Sequence, residues 1–259
     1  MTNKYKIVIS FLLLVIFAAL IFVFSFKEEK VYTSHEYNSN GQLIGINEYI
    51  IRNSDTILQG KFERYNDKGI IISKGQFLND EPYGKCSYYY DDGKIEAIQF
   101  KKNSKITLEA IKYNRRNFIK KYVMCNTYGE AKFIIEFDNK ITQRYTGYST
   151  YPVKQYKLYH GKEIDIKTGD ILKVGDTIRY DYLIANIPYA KRTLKIETEG
   201  IDNSKINRRI SKKAPTSLIV EEILTKRGLN RIKAITQYVF DDKFTPVKND
   251  TVSFDIEVH

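Results

Sequence analysis

One apolar run stands apart from the rest of the chain. From Ile7 to Phe26 every residue is apolar except Ser10 and Ser25, a run of 20 residues. After residue 31 no stretch sustains a helical period. Short segments rich in Tyr, Phe, Ile and Val alternate instead with Asn, Asp and Gly, which predicts strands joined by tight turns. The expected fold class is all-β with one N-terminal transmembrane helix: a repeat array of β-hairpins followed by an antiparallel β-sandwich. Three segments follow: 1–30 as cytoplasmic tail and anchor, 31–150 as repeat domain, and 151–259 as sandwich, with the break near Thr146–Pro152.

A hydrocarbon core about 30 Å thick needs about 20 helical residues, so residues 7–26 have the length to span a membrane. Lys4 and Lys6 precede the run, and Lys27, Glu28, Glu29 and Lys30 follow it. These flanks are nearly balanced in basic residues. The short charged tail favours a cytoplasmic amino terminus with everything after Phe26 exported. The competing reading is a cleaved signal peptide, with Val23 and Ser25 before the cut. The run exceeds the usual signal core of about 7–15 residues and lacks Ala-x-Ala, which favours an uncleaved single-pass anchor. Cleavage would make the protein secreted.

Within residues 34–145 the pattern repeats. Gly60-Lys-Phe-Glu-Arg-Tyr65-Asn-Asp-Lys-Gly69 aligns with Gly84-Lys-Cys-Ser-Tyr-Tyr89-Tyr-Asp-Asp-Gly93, giving Gly-Lys-x3-Tyr-x3-Gly with a period of 24. An aromatic follows each second glycine: Phe77 after Gly69 and Phe100 after Gly93. Weaker copies run from Tyr37 through Gly41 to Tyr49, and from Cys125 through Gly129 to Phe137. A strand ends at the Tyr, Asn or Asp enters the turn, and Gly closes a bulged hairpin at positive φ. One hairpin cannot bury its face alone, so a 24-residue period predicts stacked units sharing a core. These units resemble MORN-type repeats, in the bacterial variant found in proteins named as antitoxin components of toxin–antitoxin systems. The resemblance covers less than half of the chain and implies an elongated scaffold of stacked hairpins, with no catalysis.

Residues 153–259 carry no repeat. Strand-like runs at Gln155–Tyr159, Thr177–Ala185, Thr193–Glu199, Leu218–Leu224, Arg231–Phe240 and Thr251–Val258 are separated by Gly, Asp and Asn turns. About seven short strands in roughly 100 residues predict an antiparallel sandwich. Leu224–Tyr238 resembles the corner before the penultimate strand of immunoglobulin-like domains. The paired cysteines and core Trp of antibody domains are absent, so only the sandwich class is implied.

Charge changes this picture most. The chain has 42 Lys+Arg against 31 Asp+Glu, a formal charge of +11. Lys101, Lys102, Lys105, Lys112, Arg115, Arg116, Lys120 and Lys121 face a single acid, Glu109, within residues 101–121. Lys205, Arg208, Arg209, Lys212 and Lys213 follow with no acid in residues 203–220. The remainder is close to neutral. Such clusters attract anionic lipid or an acidic envelope polysaccharide, at about 1 kcal/mol per well-placed basic residue. The alternative is lysine-rich strands and loops that resist edge-to-edge aggregation. Export argues against nucleic acid as the partner.

The chain's 21 Tyr include Tyr88, Tyr89 and Tyr90 in one run, either a stacking surface or repeat packing; the shared slot of Tyr65 and Tyr89 favours packing. Cys86 and Cys125 sit at repeat positions of opposite strand parity, which favours buried free thiols over a disulfide. Two cysteines and three histidines (His35, His160, His259) supply no disulfide framework, four-ligand zinc site or Ser-His-Asp triad. Phosphate loops are absent, and the Asp91-Asp92 and Asp241-Asp242 pairs sit in turns. No catalytic residue, metal or cofactor is expected. The expected function is a membrane-anchored, exported, non-catalytic scaffold or binding module of the bacterial envelope, whose repeat sheet takes a protein partner. Binding of anionic lipid or polysaccharide through the basic clusters is one alternative. An antitoxin-like or immunity partner is another.

Overall fold

A computed structural model describes residues 29–166 and 171–259. The alternation of apolar and polar residues is realised first as a ten-stranded antiparallel sheet whose spatial order follows the sequence. Its strands are β1 (Tyr32–Tyr37), β2 (Leu43–Arg52), β3 (Asp55–Tyr65), β4 (Ile71–Leu78), β5 (Glu81–Tyr89), β6 (Ile95–Lys101), β7 (Thr107–Tyr113), β8 (Ile119–Cys125), β9 (Ala131–Asp138) and β10 (Ile141–Gly147). A meander of this kind needs only tight turns, and the turn chemistry recurs. Asn66 Oδ1 accepts the backbone N–H groups of Lys68 and Ile70, both at 3.0 Å. Asn114 does the same for Arg116 and Phe118 at 2.9 and 3.1 Å. Gly69 and Gly93 close their turns at φ 73° and 79°, and the register shifts beside Tyr65 and Tyr89 are the expected bulges.

The repeat is more regular than the sequence pattern indicates. Turns at 38–41, 66–69, 90–93 and 114–117 lie at one end of the strands, the last with Asn117 (φ 64°) in the glycine slot. The Cys125–Gly129 segment, by contrast, turns the chain at the opposite end. It shares its local chemistry with the others but stands half a period out of phase.

Directly opposed residues share a face of the sheet. One face carries the row Glu63, Lys74, Ser87, Ile98, Ile111, Tyr122 and Ile135. On the other, Phe62 opposes Gly75, and Cys86 begins the row Gln99, Ala110, Val123 and Ile134.

The second module is a sandwich. One sheet has the order β12 (Lys162–Asp165), β11 (Thr150–Tyr159), β13 (Thr177–Ile184), β16 (Ser217–Ile223), β15 (Arg208–Lys212). The other is β14 (Ala190–Thr198), β17 (Gly228–Phe240), β18 (Lys248–Val258). Ile178, Tyr180 and Val220 from the first sheet pack against Ile196, Ile232, Ala234 and Ile256 from the second. A second apolar cluster joins the modules: Tyr122, Met124, Phe133 and Ile135 meet Leu183, Ala185, Tyr238 and Phe240.

The expected fold class needs one correction. The described elements are strands and a single 3-10 turn at Asn203–Lys205, and no helix among the described residues is long and apolar enough to cross a membrane. The all-β assignment stands for the described residues, and the expected transmembrane helix is not among their elements. The strands form wherever short apolar runs alternate with turn residues, and no described segment has the long unbroken apolar stretch that a spanning helix requires. The run at 7–26 lies outside the described residues.

Candidate functional site

Strand geometry disperses the first basic cluster. Lys101, Lys102 and Lys105 flank the β6–β7 connection, whereas Arg115 and Arg116 occupy the β7–β8 turn at the other end of a seven-residue strand. At about 3.3 Å per residue the two groups are roughly 20 Å apart. Lys112 and Lys121 oppose each other on one face, and Lys121 Nζ pairs with Glu136 at 3.2 Å. Lys120, exposed, is left unpaired at the bulge where the β7–β8 register shifts. Arg115 lies 4.5 Å from the Tyr90 ring centroid and 3.6 Å from Asp92. The Lys94 backbone N–H, followed by the charges of Lys94 and Arg115, holds the Asp92 carboxyl below its ordinary value.

The second cluster divides as well. Arg208 is structural: its Nε donates to Glu222 at 2.6 Å, and its guanidinium reaches Ile196 O and Thr198 Oγ1 at 2.6 and 3.0 Å. Glu222 is only 3% exposed and also accepts from the Tyr180 hydroxyl at 2.7 Å. Lys205 pairs with Asp202 at 3.6 Å in the 3-10 turn. Arg209 and Lys212 are exposed along the edge strand β15.

Three members of the two clusters come together. Lys101 and Lys102 from the β6–β7 connection and Lys213 from the β15–β16 turn line one cleft between the modules, with a volume of about 350 Å³. Tyr83, Phe100, Leu108, Val153 and Leu183 form its apolar wall. Both rims are fixed by backbone bonds: Lys102 N–H to Ile106 O at 2.9 Å, and Lys213 N–H to Ser217 O at 3.1 Å. Among the described residues the Lys101 and Lys102 ammoniums donate to the carbonyls of Ser104 and Thr127, each at 3.3 Å. Asp181, the acid in the cleft, is held by Arg179 at 3.2 Å.

A polar knot with no sequence signature also links the modules. Tyr122 donates its hydroxyl to Glu109 at 2.9 Å and accepts the Asn186 backbone N–H at 2.8 Å. The Asn186 amide donates to the same carboxylate and to Pro215 O, at 2.9 and 2.7 Å. Arg192 donates to Ala185 O and Asn186 Oδ1 at 3.1 and 3.2 Å. Burial, and then the Glu109 charge, drive the Tyr122 phenol well above its ordinary value, so it stays a neutral donor.

The repeat-motif residues have structural placements. Gly60 and Gly84 sit inside β3 and β5 at positive φ, and Tyr65 and Tyr89 end those strands. Cys86 and Cys125 are buried free thiols, pushed up by burial. Among the described residues no group of three or more His, Cys, Asp or Glu could hold a metal ion. No family model matches this chain, and neither does any curated protein.

Proposed function

We propose that this protein is a non-catalytic binding module whose hairpin sheet takes a protein partner on its aromatic face. One observation carries the reading: the sandwich packs on the sheet face that bears Tyr122 and Ile135, so the face bearing Phe62 is the one it leaves uncovered. Among the described residues neither core cluster includes any residue from β1–β6. On that face Tyr32, Tyr49 and Phe77 are part-exposed, with Phe62 buried against Phe77. Tyr32 stacks on Tyr49 with centroids 5.5 Å apart, and Phe62 lies 4.7 Å from Phe77. Tyr88 follows on β5. Aromatic area held rigidly on a strand scaffold is the usual core of a protein interface. The opposite face, with Glu63, Lys74 and Lys85, is charged.

The stacked hairpins are the arrangement that the MORN-type resemblance implies. Four sandwich strands in the order β11-β13-β16-β15 facing β14-β17-β18 match the strand order of a constant-type immunoglobulin domain, which supports that likeness for residues 151–259. The apolar run at 7–26, a feature of the sequence alone, supports export of both modules.

Photo-crosslinking side chains placed at Tyr49 and Tyr88, and in parallel at Lys61 and Lys74, test the docking face in cells. One identified protein should crosslink to the aromatic positions and not to the charged ones. Equal yields from both faces, or no adduct, would exclude the reading. Protease applied outside the permeabilised outer envelope should digest residues 31–259; digestion only after lysis would rule out export.

A further inference from the structure

We propose that the cleft between the modules is a binding site for a small amphiphilic anion, a carboxylate or phosphate monoester on an apolar body. Three lysines line it from both modules, Lys101 and Lys102 from one and Lys213 from the other. Among the described residues none of the three has a carboxylate within ion-pair distance, although the chain places its other basic residues in many such pairs. Asp181 is a single carboxylate against three lysines, and it shares Arg179 with Glu163. The site therefore has a surplus of positive charge that the fold leaves uncompensated.

The rest of the cleft favours an apolar body beside the charge. Its wall is Tyr83, Phe100, Leu108, Val153 and Leu183, and its volume of about 350 Å³ falls within the ~300–1,000 Å³ typical of small-molecule sites. An apolar body against that wall, with its anionic group at the lysine rim, satisfies both halves of the lining. Polar ligands would leave the wall wet, and neutral apolar ones would leave the ammoniums without a counter-charge. Both rims are hydrogen-bonded turns, so little ordering is needed on binding. The ligand would touch both modules at once. This site is separate from the aromatic docking face, so either proposal can fail without the other.

Calorimetric titration of the full chain with octyl phosphate, inorganic phosphate and octanol tests the idea, all below the micellar range. Octyl phosphate should bind saturably, at least 10-fold more tightly than either comparison compound. The triple variant Lys101→Gln, Lys102→Gln, Lys213→Gln should weaken it at least 10-fold. A triple variant of equal charge change, Lys105→Gln, Lys120→Gln, Lys212→Gln, should bind like the unmodified chain. Tyr83→Ser, an exposed position on the wall, should weaken octyl phosphate several-fold. Absence of binding, equal binding of inorganic phosphate, or equal losses in the two triple variants would each overturn the proposal.

Discussion

Asn117 stands at φ 64° where the equivalent turns have Gly41, Gly69 and Gly93. Left-handed backbone costs an ordinary residue about 1–2 kcal/mol, and Asn is among the few that tolerate it. Asn117→Ala should therefore lower stability by ~1 kcal/mol, read as a lower denaturation midpoint. Asn117→Gly should not. An Ala variant as stable as the original would remove the conformational reading. Arg208 tests a different force. Its partner Glu222 is 3% exposed, so removing the guanidinium strands a buried carboxylate. Arg208→Met should cost about 3–5 kcal/mol, whereas Arg209→Met, on an exposed neighbour, should stay within about 0.5 kcal/mol. Equal effects would show that Arg208 acts as a surface charge. Nothing in Arg208-Arg209-Ile-Ser-Lys212 distinguishes the two arginines before the sheets are assembled.

Among elements, legibility followed local chemistry. Strands with alternating apolar residues, such as Arg231–Phe240, were readable, and so were turns built on Asn and Gly. Two strands were not. β12 (Lys162–Asp165) and β15 (Arg208–Lys212) lie at sheet edges, are largely charged, and are held by pairing with β11 and β16. Edge strands of this composition look like loops in a sequence. The Cys125–Gly129 turn misled for the opposite reason, since the same Asn and Gly chemistry serves both ends of a meander. The cleft was illegible because its lysines are 111 residues apart in the chain (Lys102 to Lys213) and meet only through tertiary packing. The repeat itself makes an element-scale prediction. Gly60 in β3 and Gly84 in β5 are equivalent, so excision of residues 60–83 joins the two strands in register. The shortened chain should fold with two fewer strands and keep a cooperative denaturation whose steepness falls with the surface lost. An aggregated or non-cooperative product would show that the units are not interchangeable.

The whole molecule depends on the joint between its two parts. Ser149, in the connector after β10, donates its backbone N–H to Asp250 Oδ2 at 2.9 Å, and its hydroxyl also reaches that carboxylate. Lys248 Nζ donates to Asp250 at 2.6 Å while lying 4.8 Å from the Tyr145 ring centroid of β10. Burial alone would raise the Asp250 carboxyl, but Lys248 and Ser149 outweigh it and hold the group below its ordinary value. A carboxyl depressed in the folded state stabilises above its unfolded value, about 3.9, and that contribution disappears as pH falls through the folded value. The stability gap between the unmodified chain and Asp250→Asn should be largest near neutrality and close progressively below about pH 4. A pH-independent gap would mean that the ionised carboxylate is not what matters. Strand order carries a consequence of another kind, a mechanical one. Because β1 to β10 follow one another in space, tension drawn from one edge of the sheet to the other runs along the inter-strand hydrogen bonds rather than across them. Such a sheet yields one ladder at a time, like a zipper. Each 24-residue repeat that opens pays out roughly 80 Å of chain, so the hairpin array would act as an extensible tether behind whatever the protein holds.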